Sequence, residues 1–212
     1  MLLSSDTPVG ITKSMGLGMI GFADALNELK PDLLLVLGDR YEIFTAASAA
    51  TIGRIPIAHL HGGEATEGLI DEPIRHSITK MSHLHFTSTE TYRQRVIQLG
   101  EHPDRVFDVG APGLDNIHRL ELLHRVALEQ AIGLTLGDRS LLVTWHPVTL
   151  EPGKTRKNFQ ALLNALEELD DVRLIFTKAN ADTQGRVINR MIDDYVAARG
   201  DTTVVHASLG QL

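Results

Sequence analysis

Cysteine is absent from all 212 residues, which excludes disulfides, CxxC zinc sites and thiol nucleophiles. An excess of positive charge is missing too: 20 Lys and Arg stand against 27 Asp and Glu, for a net charge of −7. A nucleic-acid surface needs a basic face, so no nucleic-acid partner is expected. A small phosphorylated ligand, which needs only a few local cations or amides, stays open. No apolar run approaches the roughly 20 residues of a membrane helix, and Leu33–Leu37 is typical of the longest. Met1-Leu2-Leu3 passes at once into Ser4, Ser5 and Asp6, without the basic start of a secretory signal. A cytoplasmic protein with no membrane partner is the expectation. Internal repeats and low-complexity tracts are lacking as well. What remains, 43% apolar and 22% charged residues, suits a globular protein with one sizeable core or two small ones.

Short apolar runs alternate with amphipathic stretches. Leu33–Leu37 is wholly apolar, too short for a helix and closed by Gly38, which predicts a buried parallel strand. Ile55–Leu60, His83–Ser88 and Arg105–Val109 read as further strands, with helices over Glu42–Ile52, Glu72–Met81 and Thr91–Leu99 between them. The second half repeats the pattern: strands Ser140–Trp145, Val172–Thr177 and Thr202–His206, and helices Phe159–Leu169 and Arg186–Ala198. Gly113 to Asp138 is helical in composition, and Gly133 and Gly137 place a domain boundary near residue 135. The expectation is an α/β protein with two domains, 1–135 and 136–212. Each has a parallel sheet with helices on both faces and ligands at the carboxyl ends of the strands.

The polar residues cluster at those ends. Asp39 follows the first strand, where it either caps the next helix or acts on a sugar hydroxyl or proton. His59 and His61 alternate along a strand and so point to one side, with Gly62-Gly63 and Glu64 next to them. HxH beside a carboxylate is one way to hold zinc, as is His83 with His85, but hydrogen-bonded core histidines are commoner in buried strands. The glycine pair suits a close backbone approach. Asp71-Glu72-Pro73 suits the start of a helix, whereas Arg75 sits poorly near a helix N-terminus and is placed to orient Asp71 or Glu72 or to contact a phosphate. In the second half, His146 ends one strand and Asn180 and Asp182 follow another. Trp145 reads as core, and Asp182 equally as a turn or cap residue.

The strings GLGMIGFADAL (Gly16–Leu26), GDRYE (Gly38–Glu42), HLHGGEATEG (His59–Gly68), IDEPIRHSITKMSHLHFTST (Ile70–Thr89) and VGAPGLDN (Val109–Asn116) resemble the UDP-N-acetylglucosamine 2-epimerases. The likeness is greatest to the hydrolysing branch, which supplies N-acetylmannosamine for sialic acid synthesis. TWHP and TKANADTQG carry it more loosely into the second half. The resemblance implies two Rossmann-like domains of the glycosyltransferase-B type, both incomplete in this chain. It makes Asp39, Glu64, Glu72 and His146 the catalytic candidates, and Arg40, His61, Arg75, Asn180 and Asp182 the substrate-binding ones. Either His61 or Glu64 takes the catalytic-acid place.

The implied reaction releases UDP, forms 2-acetamidoglucal and hydrates it to N-acetylmannosamine, using carboxylates on both faces of the sugar. No metal and no cofactor are called for, since local cations and amide dipoles can stabilise the departing UDP. The partners implied are a UDP-sugar and further copies of the chain, because sheets lacking strands leave exposed edges. The family's first strand with its phosphate-site loop, and its serine-rich loop for the diphosphate and ribose, are not in this sequence. The chain is therefore expected to be a fragment, inactive alone. Two alternatives stand beside the leading reading: a substrate of the 2,4-diacetamido-trideoxyhexose type, and a non-catalytic remnant that binds only nucleotide or a full-length partner.

Overall fold

The computed structural model describes residues 7–66, 69–148, 153–180 and 183–210. The chain divides into two compact units, Met1–Leu120 and Glu121–Leu212.

In the first unit, helix α1 (Pro8–Leu29) starts where Thr7 accepts the Gly10 N–H at 3.1 Å and Pro8 takes the first helical position. Strands and helices then alternate: β1 (Leu34–Leu37), α2 (Tyr41–Ile52), β2 (Ile57–Leu60), α3 (Asp71–Met81), β3 (Leu84–Thr87), α4 (Glu90–Gln98), β4 (Val106–Asp108) and the short α5 (Asp115–Arg119). The four strands are parallel, in the order β1-β2-β3-β4. Each strand lies beside its predecessor, and right-handed crossovers then put α2, α3 and α4 on a single face. The expected two-sided cover is corrected here: among the described residues, the connecting helices of this sheet share one side. The register shows it. Val36, His59, His85 and Val106 are aligned across the sheet and all buried. Leu35 and Leu37 point the other way and are 61% and 57% exposed. Val36, Ala47, Ala50, Ile57 and Ile78 form the core under the helices.

The second unit runs α6 (Arg125–Ile132), β5 (Arg139–Thr144), α7 (Thr155–Glu167), β6 (Val172–Thr177), α8 (Gly185–Arg199) and β7 (Thr203–His206). Its three parallel strands have the order β5-β6-β7. Phe159, Leu163 and Leu166 of α7 meet Leu174 and Phe176 of β6 and Ile188, Met191, Ile192 and Tyr195 of α8 in a second core. Trp145 packs on Phe159 with ring centroids 5.3 Å apart, as expected of a core residue. The helical stretch expected from Gly113 to Asp138 splits into α5 and α6, with 120–124 non-helical between them. Helix α6 goes with the second unit, where His206 Nε2 donates to the Ile132 carbonyl at 3.0 Å. No helix among the described residues is long and apolar enough to cross a membrane.

Candidate active site

Parallel strands deliver all their carboxyl ends to one rim. In the first unit that rim receives Asp39 from β1, His61 to Glu64 from β2 and Ser88 from β3. Asp39 is not the helix cap: that position falls to Arg40, whose side chain makes no capping bond. The Asp39 carboxylate instead pairs with Arg75 Nη2. Arg75, buried to 5% exposure beside Ile78 and Thr79 on the inner face of α3, also donates from Nη1 to the Glu64 carbonyl at 2.9 Å. Its Nη2 further reaches Thr66 Oγ1 at 3.3 Å. One planar guanidinium thus ties together the loops after β1 and β2 and helix α3. The reading of Arg75 toward the carboxylates of its own helical turn is corrected: it reaches across the rim to Asp39. Glu72 is held separately, accepting the Thr66 N–H at 2.9 Å and lying 3.6 Å from His76 Nε2.

Glu64 accepts from His61 Nδ1 at 2.7 Å and from Ser88 Oγ at 2.9 Å. Partial burial raises the Glu64 carboxyl, but these hydrogen bonds and the His61 and Arg75 charges outweigh it and hold the group below its usual range. His61 sits in the left-handed region at φ 64°, uncommon for a residue with a side chain. That twist corrects the expectation that His59 and His61 point the same way. β2 ends at Leu60, so His59 stays under the sheet, fully buried, while His61 turns out to Glu64. Burial lowers the His59 pKa to about 4. Among the described residues no group of three or more His, Asp or Glu is placed to hold a metal ion. His85 meets Glu101 at 3.2 Å, and His83 Nδ1 accepts the Ile57 N–H at 3.3 Å.

The glycine pair serves a close approach, but to protein. A Cβ on Gly63, at φ 80°, would run into the Tyr92 carbonyl and come within 2.8 Å of Val96. The Gly63 carbonyl accepts from Arg95 of the same helix, α4. Arg40 is engaged by its neighbour Glu42, with Nε and Nη2 at 3.1 and 3.2 Å from the two carboxylate oxygens. In the second unit, His146 and Asn180 are exposed just past the ends of β5 and β6, which Thr144 and Thr177 join by a 2.7 Å hydroxyl contact. Asp182 lies outside the described residues. Thr66 and Ser88 escaped the sequence reading. Ser88 closes an apolar run at the ligand-bearing rim, a signal that was available, while nothing local distinguishes Thr66.

The family model for UDP-N-acetylglucosamine 2-epimerase matches residues 1–212. The chain belongs to the UDP-N-acetylglucosamine 2-epimerase family. It is 43% identical over 210 residues to the GDP/UDP-N,N'-diacetylbacillosamine 2-epimerase (hydrolyzing) of Campylobacter jejuni, covering 99% of this chain and 55% of that protein. It is 44% identical over 183 residues to polysialic acid biosynthesis protein P7 of Escherichia coli, covering 86% of this chain and 46% of that one. The chain thus spans about half the length of the curated relatives it matches. The crystal structure of UDP-GlcNAc 2-epimerase from Neisseria meningitidis bound to UDP-GlcNAc superposes with a TM-score of 0.74 at 20% identity, over 96% of this chain and 56% of that one. The likeness of this epimerase-family chain to that structure is one of fold.

Proposed function

We propose that this chain carries acid–base groups of a hydrolysing UDP-sugar 2-epimerase, which converts UDP-N-acetylglucosamine and water to N-acetylmannosamine and UDP. The observation that carries the reading is the gathering of Asp39, Glu64 and Glu72 around buried Arg75 and Thr66: Arg75 holds the Asp39 carboxylate and the Glu64 main-chain carbonyl, and Thr66 holds Glu72. The C2–H of a ground-state sugar is far too weakly acidic for a carboxylate to remove. As the C1–O bond to UDP lengthens, positive character at C1 acidifies that proton. A carboxylate then takes it, the C2–H electrons become the C1=C2 bond, and the C1–O electrons leave with UDP. Addition of water at C1 and of a proton at C2 from the opposite face completes the inversion, which is why acid–base groups are needed on both faces.

Asp39 and Glu72 are read as the groups that exchange the C2 proton, with Arg75 orienting the Asp39 carboxylate. The 2.7 Å bond between His61 and Glu64 supports treating those two as one acid–base pair rather than rivals for one role. From the family resemblance alone, His146 is proposed to have a catalytic role, and Arg40, Asn180 and Asp182 substrate-binding roles.

Incubating the protein with UDP-N-acetylglucosamine in D2O tests the reading. This reading requires release of UDP together with N-acetylmannosamine bearing deuterium at C2, which would refute the expectation of a fragment inactive alone, and Asp39→Asn or Glu72→Gln should abolish it with the fold intact. Unchanged rates in both variants would remove the mechanism. A second substrate, UDP-N,N'-diacetylbacillosamine, is favoured by the 43% identity to the Campylobacter jejuni enzyme across nearly the whole chain. Supplying both sugars together decides between them by which free sugar accumulates.

A further inference from the structure

We propose that His59 is a positioning residue for Asp39: its Nε2–H fixes the Gly38–Asp39 peptide, and its Nδ1 ties that peptide to the helix that carries Arg75. The inference rests on the reading of Asp39 as a proton-transfer group.

The geometry leaves one tautomer. His59 Nε2 lies 2.9 Å from the Gly38 carbonyl oxygen, which can only accept, so Nε2 carries the hydrogen. Nδ1 then offers a lone pair to the Thr79 hydroxyl, 3.3 Å away. Burial disfavours the charged ring, and the nearby Arg75 and His85 act in the same direction, so His59 is neutral at physiological pH and keeps an acceptor for Thr79.

Each contact has a consequence at the rim. Gly38 is at φ 79°, a backbone setting without a Cβ to restrain it. The orientation of the peptide after it decides where Asp39 projects, and the His59 bond holds that peptide by its oxygen. The Gly38 amide is held as well, donating to Leu60 at 3.0 Å. Thr79 stands one helical turn after Arg75 on the buried face of α3. The contacts therefore close a ring: Asp39 to Arg75, along α3 to Thr79, across to His59, and up to Gly38 beside Asp39. Gly62 seals it from the next loop, since a Cβ there would come within 3.1 Å of Thr79 Oγ1 and 3.2 Å of His59 Nδ1.

The test compares His59→Phe, which fills the space without the hydrogen bonds, and His59→Gln, whose amide N–H can reach the Gly38 carbonyl. Ile78→Val, in the same core, is the control for simple destabilisation. In His59→Phe, exchange of the Gly38 amide should quicken by about tenfold, while protection within α4 and β4 is retained. Its kcat should fall on the order of 10- to 100-fold with KM little changed, and His59→Gln should regain most of the loss. Loss of kcat no greater than in Ile78→Val at equal stability, or unchanged exchange at Gly38, overturns the proposal. Should His59→Phe fail to fold, Thr79→Val must produce the same pattern in weaker form, and its absence counts against the proposal equally. Absence of turnover in the unmodified protein would sink the functional reading alone, and exchange at Gly38 would still decide the role of His59.

Discussion

Gly63 and Gly16 show how differently one residue type is used. Gly63 has a left-handed backbone and no room for a Cβ, whereas Gly16, exposed within α1, has open space around it. Gly63→Ala is expected to destabilise by about 3 kcal/mol or more, through strain and the push against α4. Gly16→Ala should stabilise by roughly 0.5–1 kcal/mol. Chemical denaturation of the two variants measures both, and equal effects would contradict the geometry. Arg75 allows a sharper prediction. Arg75→Lys keeps the charge but cannot span Asp39, Thr66 and the Glu64 carbonyl at once, so turnover should drop on the order of 100-fold. Full activity in that variant would show that charge alone suffices. The Arg75–Asp39 pair was hidden in the sequence, since the partners are 36 residues apart and only strand order brings them together. The oddity of a cation early in a helix was visible, but the nearest carboxylates drew the reading toward the wrong partner.

At the level of elements, β1 was legible because an apolar run ending in glycine has few other uses, and the structure trims it only to Leu34–Leu37. Helix α1 went unread although Thr7-Pro8 is a recognisable start, with Pro8 needing no N–H there. The same strand logic misjudged the histidines. Alternation holds only while the strand continues, and the left-handed turn at His61 ends it. What the alternation did place correctly is His59 within the sheet, with a measurable acid response. Its folded pKa of about 4 lies below the unfolded 6.5. Above pH 6.5 both states are neutral and stability is complete. Between 6.5 and 4 the unfolded chain takes up a proton that the folded one resists, so about 3 kcal/mol should be lost over that window. Glu64, held low in the folded state, adds a further loss as pH falls below its unfolded value. Denaturation of His59→Gln should show a flatter profile from pH 6.5 to 4. A profile as steep as that of the unmodified chain would mean that the proton goes elsewhere.

For the molecule as a whole, two cores imply two places where stability is set. Phe159→Ala empties the centre of the second unit and should cost about 3–5 kcal/mol there. Hydrogen exchange is expected to report it as lost protection across α7, β6 and α8, with Val36 and Ile78 of the first unit unaffected. Loss spread evenly over both units would argue against separate cores. From sequence, the second round of strands and helices suggested two parts with a boundary near residue 135, whereas the compact units divide between Leu120 and Glu121. Which helices share a face did not follow, because it depends on the spatial order of the strands, and within each sheet every strand after the first pairs with its immediate predecessor.

A parallel sheet also has a quiet rim, where chain returning from each helix enters the next strand, opposite the edge that holds Asp39 and Glu64. Asp32, exposed between α1 and β1, is on that side. In a chain with no native thiol, Asp32→Cys would offer a single attachment point for a fluorophore or spin probe. Such a reporter would follow nucleotide-sugar titrations from the rim opposite Asp39 and Glu64.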